Sequence, residues 1–314
     1  MSTIEIRLFG KLGVCCDKRP LAGFDAGKVR DLLSYLLLYR DRPHRRETLA
    51  TLLWGSIPAA QSKKYLRQAL WQLQAGLEAQ REPAAGQVLL VEPEWVHFNP
   101  GVELWLDVAI FEQVFARFEG TPGQQLNARE CQTLQEAVQL YGGDLLEECY
   151  EDWCVYERTR FQTMYLAMLD KLMGYCEAHR EYEAGISYGA QILRYDRASE
   201  RTHRRLMRLY YLLDDRTAAL RQYERCVAAL AEELDVRPAR QTVALHDQIR
   251  ADQFVLPAHA PAERRPQPPE HAVPSSSLPD LLGRLKQLQG VLNDAQRQVQ
   301  QGIQAVEQTL HGRH

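Results

Sequence analysis

The sequence has no apolar run near the ~18 residues that a membrane-crossing helix requires, and no secretory leader pattern at its start. The expectation is a soluble cytoplasmic chain that engages no membrane. Cysteine is scarce, at seven of 314 residues, and no Cys-x-x-Cys pair or Cys/His group has zinc spacing. Cys15 and Cys16 are adjacent, and Cys149 and Cys154 are five apart. Reduced thiols are expected, with Cys131, Cys176 and Cys226 as small core residues. A phosphate-binding loop is missing too. Gly23 to Val29 approaches one, yet fails G-x-x-x-x-G-K-[ST] in spacing and in its final residue. It reads as a turn into a helix. The nine histidines are scattered, and His44, His97 and His246 have no acid–nucleophile companions. The expectation is a non-enzyme with neither cofactor nor metal.

Strong net charge is also lacking, since the formal value is −3. The local balance differs. From Lys28 to Arg81 there are ten Lys/Arg against four Asp/Glu, whereas from Gly101 to Asp252 acids exceed bases by eight. The basic part attracts phosphate, and the acidic part repels it.

The most informative run lies in the basic part. Within QSKKYLRQALWQLQAGL (Gln61–Leu77), Leu66, Leu70, Leu73 and Leu77 step by four, three and four. That spacing puts them on one helical face. Lys64, Gln68, Trp71 and Ala75 point the other way, with Gln61 and Gln72 beside them. No acid occurs before Glu78. A helix that needs only solubility usually mixes acids with bases, so this face could lie in a groove of DNA. Solvated basic faces share the composition, and the flanking sequence bears on the choice.

Upstream, IEIRLFG (Ile4–Gly10) and LGVCC (Leu12–Cys16) alternate as short strands around a turn at Gly10-Lys11. A helix is predicted over Lys28–Tyr39, with Val29, Leu32, Leu33, Leu36 and Leu37 facing a core, and Pro43 ends it. Further helices are predicted over Arg45–Trp54 and Ala60–Ala79. VLLVE (Val88–Glu92) and WVHFN (Trp95–Asn99) then form a hairpin across Pro93 and Glu94. The order of strands, three helices and hairpin looks like the winged helix-turn-helix of response-regulator output domains. There the third helix enters the major groove and the wing touches the neighbouring backbone.

The resemblance becomes more specific with KVRDLLSYLLLYRDRPHRRETLATLLWG, then SKKYLRQALWQLQAGL, the hairpin, and LDVAIFEQVF. This order closely resembles bacterial transcriptional activators of the antibiotic-regulatory (SARP-like) type, over roughly Ile4 to Phe254. The Leu-Trp-Gly that closes the second helix, the Leu-Arg-Gln-Ala-Leu core of the third and the junction at Asp107, Val108 and Phe111 carry it. The resemblance implies a winged helix followed by an all-helical bacterial transcriptional activator domain of tetratricopeptide-like hairpins. It also implies promoter sites arranged as direct repeats, and activation by contact with RNA polymerase or a sigma factor. Larger relatives attach a nucleotide-binding ATPase module, for which 314 residues leave no room.

From Asp107 to Asp252 strand signals vanish. Amphipathic helices are predicted over Val108–Phe118, Ala128–Leu140, Trp153–Ala178, Tyr182–Leu193, Ser199–Leu213, Arg216–Glu233 and Ala239–Ala251. EYEAGISYGAQIL (Glu181–Leu193) aligns with DRTAALRQYERCV (Asp215–Val227) at an offset of 34 residues. Ala184 matches Ala218, Ile186 matches Leu220, and Gly189 matches Tyr223. That period marks tetratricopeptide units, which stack because no helix pair can bury its own stripe. Such arrays commonly bind proteins, and a spacer or dimerisation body is the other reading. Tyrosine is dense here, and most of it is read as core.

Val255 to Pro279 is rich in Pro, Ala and Ser and reads as an extended linker. After it, Leu281, Leu285, Leu288, Leu292, Ala295, Val299, Gly302 and Val306 step by four and three. This is a heptad seam with a Gln-rich polar face. It suits a homodimeric coiled coil, or docking on its own chain or on another protein. The resemblance says nothing about it.

The fold class expected is mainly α. Residues 1–104 form a winged helix-turn-helix (α+β), 105–254 an all-α tetratricopeptide-like activator domain, 255–279 a linker and 280–314 a coiled-coil-like helix. The function expected is regulation of transcription on double-stranded promoter DNA. Lys64, Gln68 and Trp71 are the base-facing candidates, flanked by Arg67 and Gln72. Amides can pair with adenine, and Arg or Lys with guanine. Trp71 either packs on a thymine methyl or sugar, or folds back to cap the domain. Arg45, Arg46 and Lys63 are phosphate candidates, with the wing around Trp95 and His97. Leu281, Leu285, Leu288, Leu292, Val299 and Val306 are candidates for self-association. The rival reading is a tetratricopeptide adaptor whose winged helix no longer binds DNA.

Overall fold

Residues of alternating burial build two small sheets, and amphipathic helices build the rest. The computed structural model describes residues 4–21, 23–24, 27–79, 86–102 and 104–253. The linker 255–279 and the heptad segment 280–314, including Leu281, Leu285, Leu288, Leu292, Val299 and Val306, lie outside the described residues.

β1 (Ile4–Arg7) runs antiparallel to β2 (Gly13–Cys16), with Ile4 opposite Cys16. Gly10 in their turn sits at φ +79°, a left-handed conformation that costs glycine little because it lacks Cβ. β3 (Arg19–Pro20) extends β2. α1 (Gly27–Leu38) buries Val29, Leu32, Leu33, Leu36 and Leu37, as its periodicity predicts. Beyond Pro43 come β4 (His44–Arg45), α2 (Arg46–Trp54) and α3 (Ala59–Glu78). β5 (Leu89–Val91) and β6 (Trp95–Phe98) form the hairpin, and β4 joins its inner edge to give the sheet order β4-β6-β5. β7 (Leu104–Leu106) pairs parallel with β1, completing the first sheet as β3-β2-β1-β7. β3, β4 and β7 are absent from the sequence reading because two or three residues display no alternation.

The helical body consists of α4 (Asp107–Arg117), α5 (Ala128–Leu140), α6 (Asp152–His179), α7 (Tyr182–Tyr195), α8 (Glu200–Leu212), α9 (Arg216–Leu234) and α10 (Arg240–Arg250). A single 3₁₀ turn at Gly123–Gln125 precedes α5. Asn127 and Glu130 start α5 with a reciprocal capping box, each side chain accepting from the other's backbone N–H. The starts of α7 and α9 keep the 34-residue period of the sequence. Gly189 allows α7 to cross its neighbours closely. A Cβ there would lie 2.7 Å from Leu206 Cδ2 and 3.0 Å from Met173 Cε.

Winged helix and body are not separate beads. A hydrophobic cluster runs unbroken from Ile4 to Ile192. Phe9, just after β1, packs its ring 5.0 Å from Phe111 and 5.5 Å from Phe161. Buried Asp107 at the start of α4 reaches back to this segment. Its carboxylate accepts from the N–H groups of Leu8 at 2.8 Å, Phe9 at 3.0 Å and its neighbour Val108 at 2.7 Å. The β1–β2 turn is tied to the body as well. Gly10 N–H donates to the Asp144 carbonyl at 2.8 Å, and Glu147 N–H donates to the Gly10 carbonyl at 3.0 Å.

Candidate nucleic-acid interface

α3 buries Ser62, Leu66, Ala69, Leu70, Leu73 and Leu77, so its core stripe is the one its leucine spacing predicts. The opposite face is open. Lys64, Gln68 and Trp71 are exposed, and Gln72 is half-buried at the edge. Trp71 stands 68% exposed and does not fold back over the domain. Among the described residues, no hydrogen bond or ion pair engages the side chains of Lys64, Arg67, Gln68, Trp71 or Gln72. Tyr65, at 37% exposure, completes this surface, and Gln61 Nε2 donates to its hydroxyl at 2.8 Å. The helical wheel that revealed Gln68 also puts Tyr65 outside the leucine stripe, and the sequence reading passed over it.

Along one flank of α3, a cleft of about 530 Å³ separates the helix from the tip of the wing. Arg45, Arg46, Lys63 and Arg67 line it, with Glu47, Pro93 and Glu94. Arg46 is the fixed member. Its backbone N–H donates to the Glu94 carbonyl at 2.9 Å, and its Nη1 donates to the Glu92 carbonyl at 3.1 Å. These bonds hold the hairpin tip against the start of α2. The guanidinium of Arg45 lies 5.2 Å from the ring centre of Trp95, a cation–π contact. Lys63 Nζ stands 2.9 Å from Glu47 Oε1, and this hydrogen bond holds the Glu47 carboxyl below the usual carboxylate range. His97 is half-buried, with Nε2 3.7 Å from Glu92 Oε1.

The structure also divides the basic excess of the sequence. Lys28 pairs with Glu151 at 2.6 Å, Arg30 with Glu148 at 3.0 Å and Arg40 with Glu112 at 3.1 Å. Each of those carboxylates belongs to the body or its loops. A second link runs through Tyr39, whose hydroxyl donates to Glu157 at 2.9 Å, and Arg160, which bridges Glu157 and Glu112 at 2.6 Å each. These cations hold the winged helix on its acidic neighbour. Of the others, Arg45, Arg46, Lys63 and Arg67 line the wing cleft, with Lys63 paired to Glu47, and Lys64 stands open on α3.

The arrangement is a winged helix-turn-helix fused through a shared core to a tetratricopeptide-like body. Residues 106–250 match the family model described as "Bacterial transcriptional activator domain". Mycobacterium tuberculosis EmbR, solved in complex with a low affinity phosphopeptide, has a similar structure, with a TM-score of 0.67 at 20% identity, over 82% of this chain and 67% of that one. Comparison with curated protein sequences gives no match. The segment 106–250 is thus similar to bacterial transcriptional activator domains, and the likeness to EmbR extends the shared fold over the winged helix. Among the described residues, no helix is long and apolar enough to cross a membrane, and no group of His, Cys, Asp and Glu could hold a metal ion.

Proposed function

We propose that this protein is a SARP-like transcription regulator that binds double-stranded promoter DNA sequence-specifically and activates transcription. α3 enters the major groove, with Lys64, Gln68 and Trp71 toward the bases and Arg67 and Gln72 at the edges. Lysine suits guanine, the amide suits adenine, and the indole suits a thymine methyl. Arg45, Arg46 and Lys63 meet phosphates beside the wing of Trp95 and His97. The observation that carries this reading is the acid-free outer face of α3, unengaged by the rest of the fold, beside a cleft where four cations converge. The shared core supports a further step. A body fixed rigidly on the winged helix is presented at one angle to the DNA, as recruitment of RNA polymerase or a sigma factor requires. Pairing of two chains through the heptad seam would place two such heads on repeated half-sites. The protein works in the cytoplasm on the nucleoid and performs no catalysis.

Titration of the full chain into a labelled pool of duplexes, from 50 to 200 mM salt, tests the reading. Three phosphate contacts, from Arg45, Arg46 and Lys63, give a slope of log affinity against log salt of about −2.7, at about −0.9 per phosphate. Absence of binding, or binding indifferent to salt, refutes it and leaves the adaptor.

A further inference from the structure

The body carries a second cationic site, remote in sequence from the winged helix. Between α7 and α9 lies a groove of about 370 Å³. Leu193, Leu206, Tyr210 and Ala229 give it apolar walls, and Arg194, Arg197 and Arg225 stand around it. Arg194 and Arg225 are exposed, and among the described residues neither forms an ion pair with a carboxylate. Arg197 is shared between Glu232 at 3.0 Å and Glu233 at 3.6 Å.

The groove is built rather than incidental. Two polar side chains, His203 and Gln222, are buried in its wall at 3% and 2% exposure. Gln222 Nε2 lies 2.7 Å from His203 Nδ1, and His203 Nε2 lies 2.9 Å from the Arg197 carbonyl. One assignment satisfies both contacts. His203 is neutral, donates from Nε2 to that carbonyl, and accepts the Gln222 amide at Nδ1. Burial holds the imidazole below its ordinary pKa, which keeps this neutral form in place. Gln222 Oε1 is then turned outward, where Arg225 Nη1 reaches it at 3.5 Å. A buried His–Gln pair therefore anchors the backbone that carries Arg197, and its amide oxygen faces Arg225. Exposed cations beside an apolar floor favour a ligand that brings negative charge and one bulky apolar group.

We propose that the α7–α9 groove binds an acidic peptide segment of a partner protein, seating one large apolar side chain on Leu193, Leu206 and Tyr210 and its carboxylates on Arg194 and Arg225. Charge complementarity selects this occupant. Two arginines without carboxylate partners on an otherwise acidic body are suited to acids supplied from outside. The proposal rests on the reading that the body makes protein contacts, and it does not depend on DNA binding by α3.

The test uses the full chain and a fluorescein-labelled peptide of the sequence EDDLFEDE, read by anisotropy. Two double variants are compared, Arg194→Glu with Arg225→Glu in the groove, and Arg208→Glu with Arg240→Glu at exposed sites outside it. Both change net charge equally. Reversal in the groove is expected to weaken the peptide at least about tenfold, because each exposed attraction becomes a repulsion of similar size. Reversal outside the groove is expected to change it less than about threefold. A peptide with Ala in place of Leu and Phe should also bind about tenfold more weakly. Failure of the acidic peptide to bind, or equal loss in both double variants, overturns the site. Preferential displacement of the peptide by duplex DNA, lost on reversal in the groove, would reassign it to nucleic acid and also overturn the proposal. Duplex binding by the same preparations is measured separately. A chain that binds the peptide and no DNA keeps this groove and refutes the α3 reading.

Discussion

Asp107→Ala should be among the most damaging single changes in the molecule, although Asp107 is buried and lines none of the surfaces proposed for binding. The carboxylate is 2% exposed and accepts the N–H groups of Leu8 and Phe9, nearly a hundred residues earlier. Leu8 is fully buried and Phe9 nearly so. Alanine leaves these two donors and the Val108 N–H in the core without this acceptor. A buried donor left unpaired costs about 1–3 kcal/mol, so three cost about 6 kcal/mol. The carboxylate's own desolvation opposes this. Burial raises the Asp107 pKa despite its three backbone donors, so the charge is held there at some expense. The net loss expected is about 3 kcal/mol, or about 6–12 °C in Tm at this chain length. Asp107→Asn keeps one acceptor oxygen and should lose about half as much. Urea titrations followed by tryptophan fluorescence would measure both variants. A loss under about 1 kcal/mol for Asp107→Ala would show that the bonds from Leu8 and Phe9 do not hold winged helix and body together.

Gln68→Ala should relax sequence preference at one base pair by about 1–3 kcal/mol, whereas Arg46→Ala should weaken binding to every duplex and loosen the wing tip it holds. Equal losses on specific and random duplex for both variants would show that α3 is not the reader. Asp substitutions at Leu288 and Leu292 should lower the mass measured by light scattering, because a heptad seam cannot hold unpaired charge. Unchanged mass would redirect that segment to its own chain or to another protein. Burial holds His44 and His203 below their ordinary value of 6.5. The unfolded chain therefore binds protons first, and their contribution is fully present above that pH and lost as pH falls from it through the lowered folded-state value. His44→Asn should consequently lose less stability between pH 7 and pH 5 than the native chain does, and an equal or larger loss contradicts the assignment.

Leucine spacing in Gln61–Leu77 was enough to orient α3, since burying one stripe leaves only one face for anything else. The 34-residue self-similarity located α7 and α9 as equivalent helices of successive repeats, because equivalent helices bury the same stripe. β4 and β7 were not legible, because they exist only through their partners β6 and β1. Tyr65 was legible on the wheel of α3, about 110° from the leucine stripe, although its hydrogen bond with Gln61 was not.

Charge shows most clearly what composition alone leaves undecided. The sequence contains the basic excess of Lys28–Arg81, yet it cannot say which cations are already engaged. Only the packed structure decides that Lys28, Arg30 and Arg40 are taken by Glu151, Glu148 and Glu112, while Arg45, Arg46, Lys63 and Arg67 meet at the wing. The same holds for Asp107, whose partners lie 98 and 99 residues away, and for the α7–α9 groove, which brings Arg194 and Arg225 together from two helices. By itself the sequence determined the helices, their buried faces, the repeat and the outward face of α3, because each depends on neighbours within one or two turns. The tertiary structure alone decided the common core of winged helix and body and the division of arginines between ion pairs and open surface, because those depend on contacts that only the fold brings within a few ångströms.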